Sequence, residues 1–216
     1  MLAIKDLSLS IQKVPILNNI KLSIEQGQTV GLIGRNGAGK TTLMRAIMGL
    51  IDQQSGELMF RDVPLHTSKA HVRAFLGIGY LPEDRRLVPH FTVEENILVP
   101  LWAMKRGHDV SRLEWVYELM PEIGRFADRK ALTLSGGQQK LVALARALVT
   151  GSNLLLLDEP FEGVAPALAE RLMEVISNLK EENLSVLISE SDYTHSKKVV
   201  DKTYVIERGS INVMNH

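Results

Sequence analysis

Gly34 to Thr42 reads GRNGAGKTT, and the pattern G-x-x-x-x-G-K-[ST] within it decides the fold. A strand-like run, TVGLIG, leads into it, and Leu43, Ile47 and Leu50 follow on one face at the helical period. Gly34, Gly37 and Gly39 let the backbone fold tightly, so that successive N–H groups, across Arg35, Asn36 and Ala38, face phosphate oxygens. The following helix start, with Thr42, adds its partial positive charge. Lys40 reaches β- and γ-phosphates, and Thr41 offers a hydroxyl to Mg²⁺. A glycine-rich turn with a chance lysine is the alternative, and the strand-before, helix-after context disfavours it.

Leu154 to Pro160, LLLLDEP, supplies an acidic counterpart. Four consecutive leucines suit a strand buried on both faces, which places Asp158 at its carboxyl end. Asp158 there holds Mg²⁺ through water, and Glu159 is the candidate base that orients attacking water. A helix-cap pair before Pro160 is the plainer alternative.

Composition narrows the class. Lys+Arg and Asp+Glu are both 25, a zero net charge that argues against a nucleic acid partner gripped by bulk charge. The 216 residues contain no cysteine, which rules out disulfides and thiolate metal sites. The start MLAIKDLSLSI alternates like a strand and is not a signal peptide, and LLLL is far too short to cross a bilayer. Strand-like runs recur at LAIKDLSLSI, ILNNIKLSIE, NLLLLDE, LSVLISE and near KTYVIERGSI. GELMF and LGIGYLP read as a further strand pair around a short helix near Lys69–Phe75. Helices are expected over residues 40–50, 136–150 and 166–182, and two more in TVEENILVPLWAMKRG and SRLEWVYELMPEIGRF. Alternating strands and helices imply a mainly parallel sheet with ligands beyond the strands' carboxyl ends. The run SINVMNH follows the last strand directly, so no C-terminal regulatory domain is expected.

LTLSGGQQKLVALARAL, residues 132–148, narrows the field further. Leu141, Leu144 and Leu148 form a buried helix face, and Ser135, Gly136, Gly137 and Gln138 sit where that helix starts. Ser135 capping the first N–H groups is the ordinary reading. A second anion site is the other, though one monomer does not need two for one γ-phosphate. Here the chain resembles the ATP-binding cassette (ABC) family, in which GRNGAGKT, LSGGQ and LLLLDEP occur in this order. The resemblance implies an α/β fold: a P-loop NTPase core with a mainly parallel sheet, an N-terminal antiparallel β subdomain and an inserted α-helical subdomain at about residues 92–133. It covers residues 1–216 as a single ABC ATPase domain. It implies ATP and Mg²⁺ as ligands, and head-to-tail pairing in which each nucleotide lies between one phosphate loop and the other subunit's signature.

YLPEDRRLVPHFTVEENI and DEPFEGVAP look like ATPases of branched-chain amino acid importers, and DEPFEGV is also similar to lipopolysaccharide-export ATPases. The partners implied are membrane permease subunits, a second cassette ATPase and an extracytoplasmic solute-binding protein, at the cytoplasmic face of the inner membrane. Four positions depart from the family pattern. Ile11 stands where an adenine-stacking aromatic is common, and Glu83 where glutamine is common, keeping the geometry for Mg²⁺ while adding charge. Ala165 replaces an aspartate, and Ser191 stands where many cassettes have a histidine that contacts the γ-phosphate. Ser191 or Asp192 capping a helix near Tyr193 is the structural alternative, and His195 is a candidate substitute four residues on. A serine cannot carry positive charge, which favours a slower site and a heterodimer over a homodimer.

Overall fold

The computed structural model describes residues 1–52, 55–105 and 110–214. Its first strands are β1 (Leu2–Ile11), β2 (Val14–Ile24), β3 (Thr29–Ile33), β4 (Ser55–Phe60) and β5 (Val63–Pro64). They are followed by β6 (Ile78–Leu81), β7 (Leu154–Asp158), β8 (Ser185–Glu190), β9 (Lys202–Glu207) and β10 (Ser210–Val213). The helices are α1 (Lys40–Ile47), α2 (Val72–Phe75), α3 (Val93–Ala103), α4 (Val110–Leu119), α5 (Pro121–Gly124), α6 (Gly136–Thr150) and α7 (Pro166–Glu181).

An antiparallel sheet has the order β2-β1-β4-β5, and a six-stranded sheet the order β10-β9-β3-β8-β7-β6. In the latter, β9, β3, β8, β7 and β6 run parallel, and β10 closes the edge antiparallel. The register brings Ile33 beside Glu190, Asp158 beside Ser189 and Leu81 beside Leu157, so four strands end at one edge. That edge is where α/β sheets bind ligands.

Side chains of β7 alternate between two cores. Leu155 and Leu157 pack with α3, α6 and α7, while Leu154 and Leu156 pack with α1 and the antiparallel sheet. The strand therefore reads as an unbroken apolar run because both of its faces are covered. From Val93 to Thr133 the described residues form helices and turns with no strand. A capping box starts α3, Thr92 Oγ1 accepting from Glu95 N–H and Glu95 Oε2 accepting from Thr92 N–H. Buried Asn96 donates to Val88 O and Thr92 O and accepts from Val88 N–H, which ties the loop after β6 to this helix.

Several expected elements are corrected. The first helix ends at Ile47, short of residue 50, because Gly49 turns with φ +69. The next helix is only Val72–Phe75. GELMF and LGIGYLP are strands but not a pair: β4 joins β1, and β6 joins β7 in the other sheet. An apolar run indicates a strand without naming its neighbour. No α-helix begins near Tyr193; Asp192 instead accepts from Thr194 N–H in a tight turn, and a 3₁₀ turn spans Ser196–Lys198. Arg106 and Gly107 of the TVEENILVPLWAMKRG run, and the last two residues of SINVMNH, lie outside the described residues.

The end of α1 is fixed by buried Arg73, which donates to Ile47 O, Leu65 O, Ser68 O and Lys69 O. A cation among carbonyls at a helix C-terminus is favourable, and removing it strands buried acceptors. Arg73→Met is expected to lower stability by about 3 kcal/mol or more. Urea unfolding checks this as a lower midpoint at an unchanged slope.

Candidate functional site

β3 hands the chain directly to the glycine loop. Gly34 N–H donates to Glu190 O at 3.0 Å, and a Cβ on Gly34 would lie 2.4 Å from Ile206 O, so only glycine fits there. Gly37 and Gly39 turn with φ +81 and +114, and Gly39 caps α1 without a side chain. The first N–H groups of α1 are therefore not taken by a side-chain cap. Around Gly37 a Cβ would meet nothing within 4 Å, so the loop is open at its tip.

Lys40 is 5% exposed, and its Nζ donates to Gly34 O at 2.5 Å and Arg35 O at 3.3 Å. The same ammonium pairs with Glu159 Oε1 at 3.0 Å. A cleft of about 500 Å³ opens here, lined on one side by Asn36, Gly37, Gly39, Lys40, Thr41 and Thr42. Ile16, Glu83, Glu159 and Glu162 line the rest. The Glu159 carboxylate stands in for an anion on Lys40, which fits this loop to a phosphate.

Asp158 is fully buried at the end of β7, with Ser189 Oγ donating to Oδ1 at 2.6 Å and Tyr80 OH to Oδ2 at 3.3 Å. Burial, then the Asp158 charge, pushes the Tyr80 phenol far up, so it stays a donor. Thr41, Glu83 and Asp158 line an adjoining cleft of about 170 Å³. This hydroxyl and two carboxylates are hard oxygen donors of the kind Mg²⁺ prefers. Among the described residues no three acidic or imidazole side chains form a metal cage. Mg²⁺ is commonly held by one or two carboxylates with phosphates, so that agrees with the donor set. Desolvation and then the charges of Glu162, Asp158 and Glu159 raise the Glu83 carboxyl above its usual range.

Glu159 has φ +49, a left-handed conformation that is uncommon for a residue with a side chain. Its N–H donates to Ser189 O at 3.1 Å, and its carbonyl accepts from Lys140 Nζ at 2.7 Å. Its carboxylate accepts from Ser191 N–H at 3.1 Å and from Ser191 Oγ at 2.8 Å. Asn36 Oδ1 lies 3.0 Å from the same hydroxyl. A serine has one proton, and the shorter contact to the carboxylate takes it. Ser191 is thus an anchor for Glu159, at the rim of the loop, without a helix behind it. His195 reaches the neighbourhood differently, stacked on Phe161 at 5.3 Å, and lines a cleft of about 350 Å³ with Ser191 and Asn36.

At the start of α6, Ser135 and Gln138 form a reciprocal capping box, with bonds of 3.3 and 3.0 Å. Ser135 and Gly136 are exposed, and none of Ser135, Gly136, Gly137 and Gln138 lines the phosphate-loop cleft. Within one chain the two glycine motifs stay apart. The family model described as ABC transporter matches residues 17–162. The chain belongs to the ABC transporter family.

The cassette is 32% identical over 211 residues to the high-affinity branched-chain amino acid transport ATP-binding protein BraG of Pseudomonas aeruginosa, covering 98% of this chain and 91% of that one. It is also 32% identical over 212 residues to the lipopolysaccharide export system ATP-binding protein LptB of Haemophilus influenzae, covering 97% and 88%. A solved ATP-binding cassette of an ABC transporter in its ADP conformation matches with a TM-score of 0.84 at 26% identity, over 98% of this chain and 89% of that one. A dimeric cassette bound to ADP and Pi shares the fold, with a TM-score of 0.86 at 23% identity over 100% of both chains. The protein is an ABC transporter ATPase subunit.

Sequence reasoning missed several residues of this cassette site. Ile16, not Ile11, lines the nucleotide cleft; Ile11 pairs with Val14 at the hairpin end. Ser189 was legible as a polar residue inside the apolar run SVLISE, and Lys140 as a charge beside the apolar face of α6. Glu190 lies beneath the cleft, and its carboxyl is pushed up to about 7, first by burial and then by Asp192 and Glu159, against a hydrogen bond from Ser196. Between its ordinary value and 7 the folded chain holds a proton that the unfolded chain has released. Stability from this group is therefore full below the ordinary glutamate range and is lost as pH rises through about 7. Denaturant midpoints at pH 5 and pH 8 are expected to show a decline that Glu190→Gln reduces.

Proposed function

We propose that this cassette powers import of branched-chain amino acids or related small solutes, by closing on ATP with a second cassette and opening after hydrolysis. The observation that carries the hydrolytic part is the Lys40–Glu159 pair held against Ser191 at the sheet's ligand-binding edge. Gly34, Arg35, Asn36, Gly37, Ala38 and Gly39 cradle the phosphates. Lys40 exchanges the Glu159 carboxylate for the β- and γ-phosphates, which frees Glu159 to orient and polarise the attacking water. Thr41, Asp158 and Glu83 would hold Mg²⁺, which would supply neutralising charge for the phosphates. Ser135, Gly136, Gly137 and Gln138 of a second chain cover the nucleotide from the far side. The exposure of Ser135 and Gly136, and the absence of all four from the lining of this chain's own cleft, support that arrangement.

The import reading rests on the importer-like stretches and the BraG relative. An exporter ATPase acting as a homodimer is the second reading, favoured by the equal identity to LptB. Membrane permeases receive the stroke at the groove between Glu83 and the helical lobe, with VPLWAM, whose Trp102 is exposed, as a candidate apolar wall. No helix among the described residues is long and apolar enough to cross a membrane, which suits a peripheral subunit at the cytoplasmic face. An extracytoplasmic binding protein delivers the solute. Ser191 holds Glu159 without a positive charge, which supports a slower site and pairing with a cassette that keeps the histidine.

Steady-state Mg-ATP turnover by the purified chain, beside Glu159→Gln, tests the core of this. Glu159→Gln is expected to lower turnover by about a hundredfold or more while nucleotide binding persists. Full-rate turnover by the chain alone as a homodimer overturns the heterodimer. Reconstitution with its permease subunits separates solute uptake from lipid export.

A further inference from the structure

The signature helix and the Glu159 peptide are joined by one buried ammonium. Lys140 stands in the second turn of α6, is 2% exposed, and donates from Nζ to Glu159 O at 2.7 Å. Its helix neighbours Leu141, Val142, Ala143 and Leu144 are buried and apolar, so an ordinary core position would be apolar too. Burying an ammonium is unfavourable unless it is bonded and faces negative charge. Lys140 meets both conditions: burial and then Arg85 lower its ammonium's pKa, while the hydrogen bond to Glu159 O and the charges of Glu162, Glu159 and Glu83 work to keep it protonated.

We infer that Lys140 is a positioning residue for hydrolysis, fixing from the signature helix the left-handed peptide that aims the Glu159 carboxylate at the phosphate loop. The peptide needs such a hold. At φ +49 Glu159 is strained, and strained residues persist only where their surroundings over-determine them. Ser189 O and Oγ hold its N–H side at 3.1 and 3.2 Å, and its carbonyl accepts from Lys140 Nζ at 2.7 Å and, at a longer 3.3 Å, from Glu162 N–H. Lys40 and Ser191 hold the carboxylate but exchange when phosphate arrives; the Lys140 bond is on the main chain and stays. A shift of α6 therefore moves the base of the same chain, which links the signature's engagement with a second cassette to the readiness of Glu159.

This inference rests on Glu159 being the base. The test uses the full chain with Lys140→Met, which keeps the length and removes the donor, and Lys140→Arg, which keeps donor and charge. Turnover constants, nucleotide affinity, melting temperature and hydrogen exchange of a peptide spanning Glu159 are measured on each. Lys140→Met is expected to lower kcat roughly tenfold to a hundredfold, with KM and nucleotide affinity nearly unchanged. Exchange at the amides following Asp158 should quicken while the rest of α6 keeps its protection, and Lys140→Arg should restore both. Parent-like kcat and exchange in Lys140→Met overturn the inference. So does a loss shared by affinity, melting temperature and all of α6 that Lys140→Arg fails to repair, because that marks packing alone. If turnover survives Glu159→Gln, the base reading fails instead. If the chain alone shows no turnover, exchange at Glu159 decides between hold and no hold.

Discussion

Lys40 and Glu159 meet at 3.0 Å with side chains 5% and 8% exposed, and a pair so desolvated forms only where other groups share its charge. The ammonium is shared with Gly34 O and Arg35 O, which curls the glycine loop around it. The carboxylate is shared with Ser191 N–H and Oγ, which draws the end of β8 toward the end of β7. Gly34 and Gly39 leave no room for a side chain, and Gly37 and Gly39 turn with positive φ that favours glycine. One ionic contact thus sets the shape of the loop, the conformation of Glu159 and the placing of Ser191.

Around this contact the chain concentrates acid in a molecule whose formal charge is zero. Asp158, Glu159, Glu162 and Glu83 face a region served by Lys40 in the loop and Lys140 beneath it. Burial first, and this crowding after it, raises the carboxyls of Glu83 and Glu190. Phosphates would add further negative charge, so loop N–H groups, Lys40 and a divalent cation must outweigh the acids for binding to proceed. Glutamate at position 83 makes that balance more dependent on the cation than glutamine would.

Much of this was legible in the sequence because it is local. GRNGAGKTT needs a strand before it and a helix after it, and both are there. LLLLDEP reads as a doubly covered strand because its period is lost on both faces, and α6 runs over Gly136–Thr150 as its pattern requires. What was not legible depends on which segments meet. The partners of GELMF and LGIGYLP, the choice of Ile16 over Ile11, and the bond from Lys140 are tertiary facts that no spacing encodes. Ser191 was marked as unusual from its position alone, but its partner Glu159 lies 32 residues away and only the fold joins them.

Three successive residues at the tip of β8 touch three different working parts. Ser189 braces Asp158, the carbonyl of Glu190 receives the N–H of Gly34, and Ser191 grips Glu159. The strand end acts as a three-pin plug whose spacing is set by the pleat of the backbone. A missing or extra residue there would point every pin at the wrong socket, however well the new side chains suited the chemistry. Such a segment can accept other side chains at a pin, but it cannot accept another length.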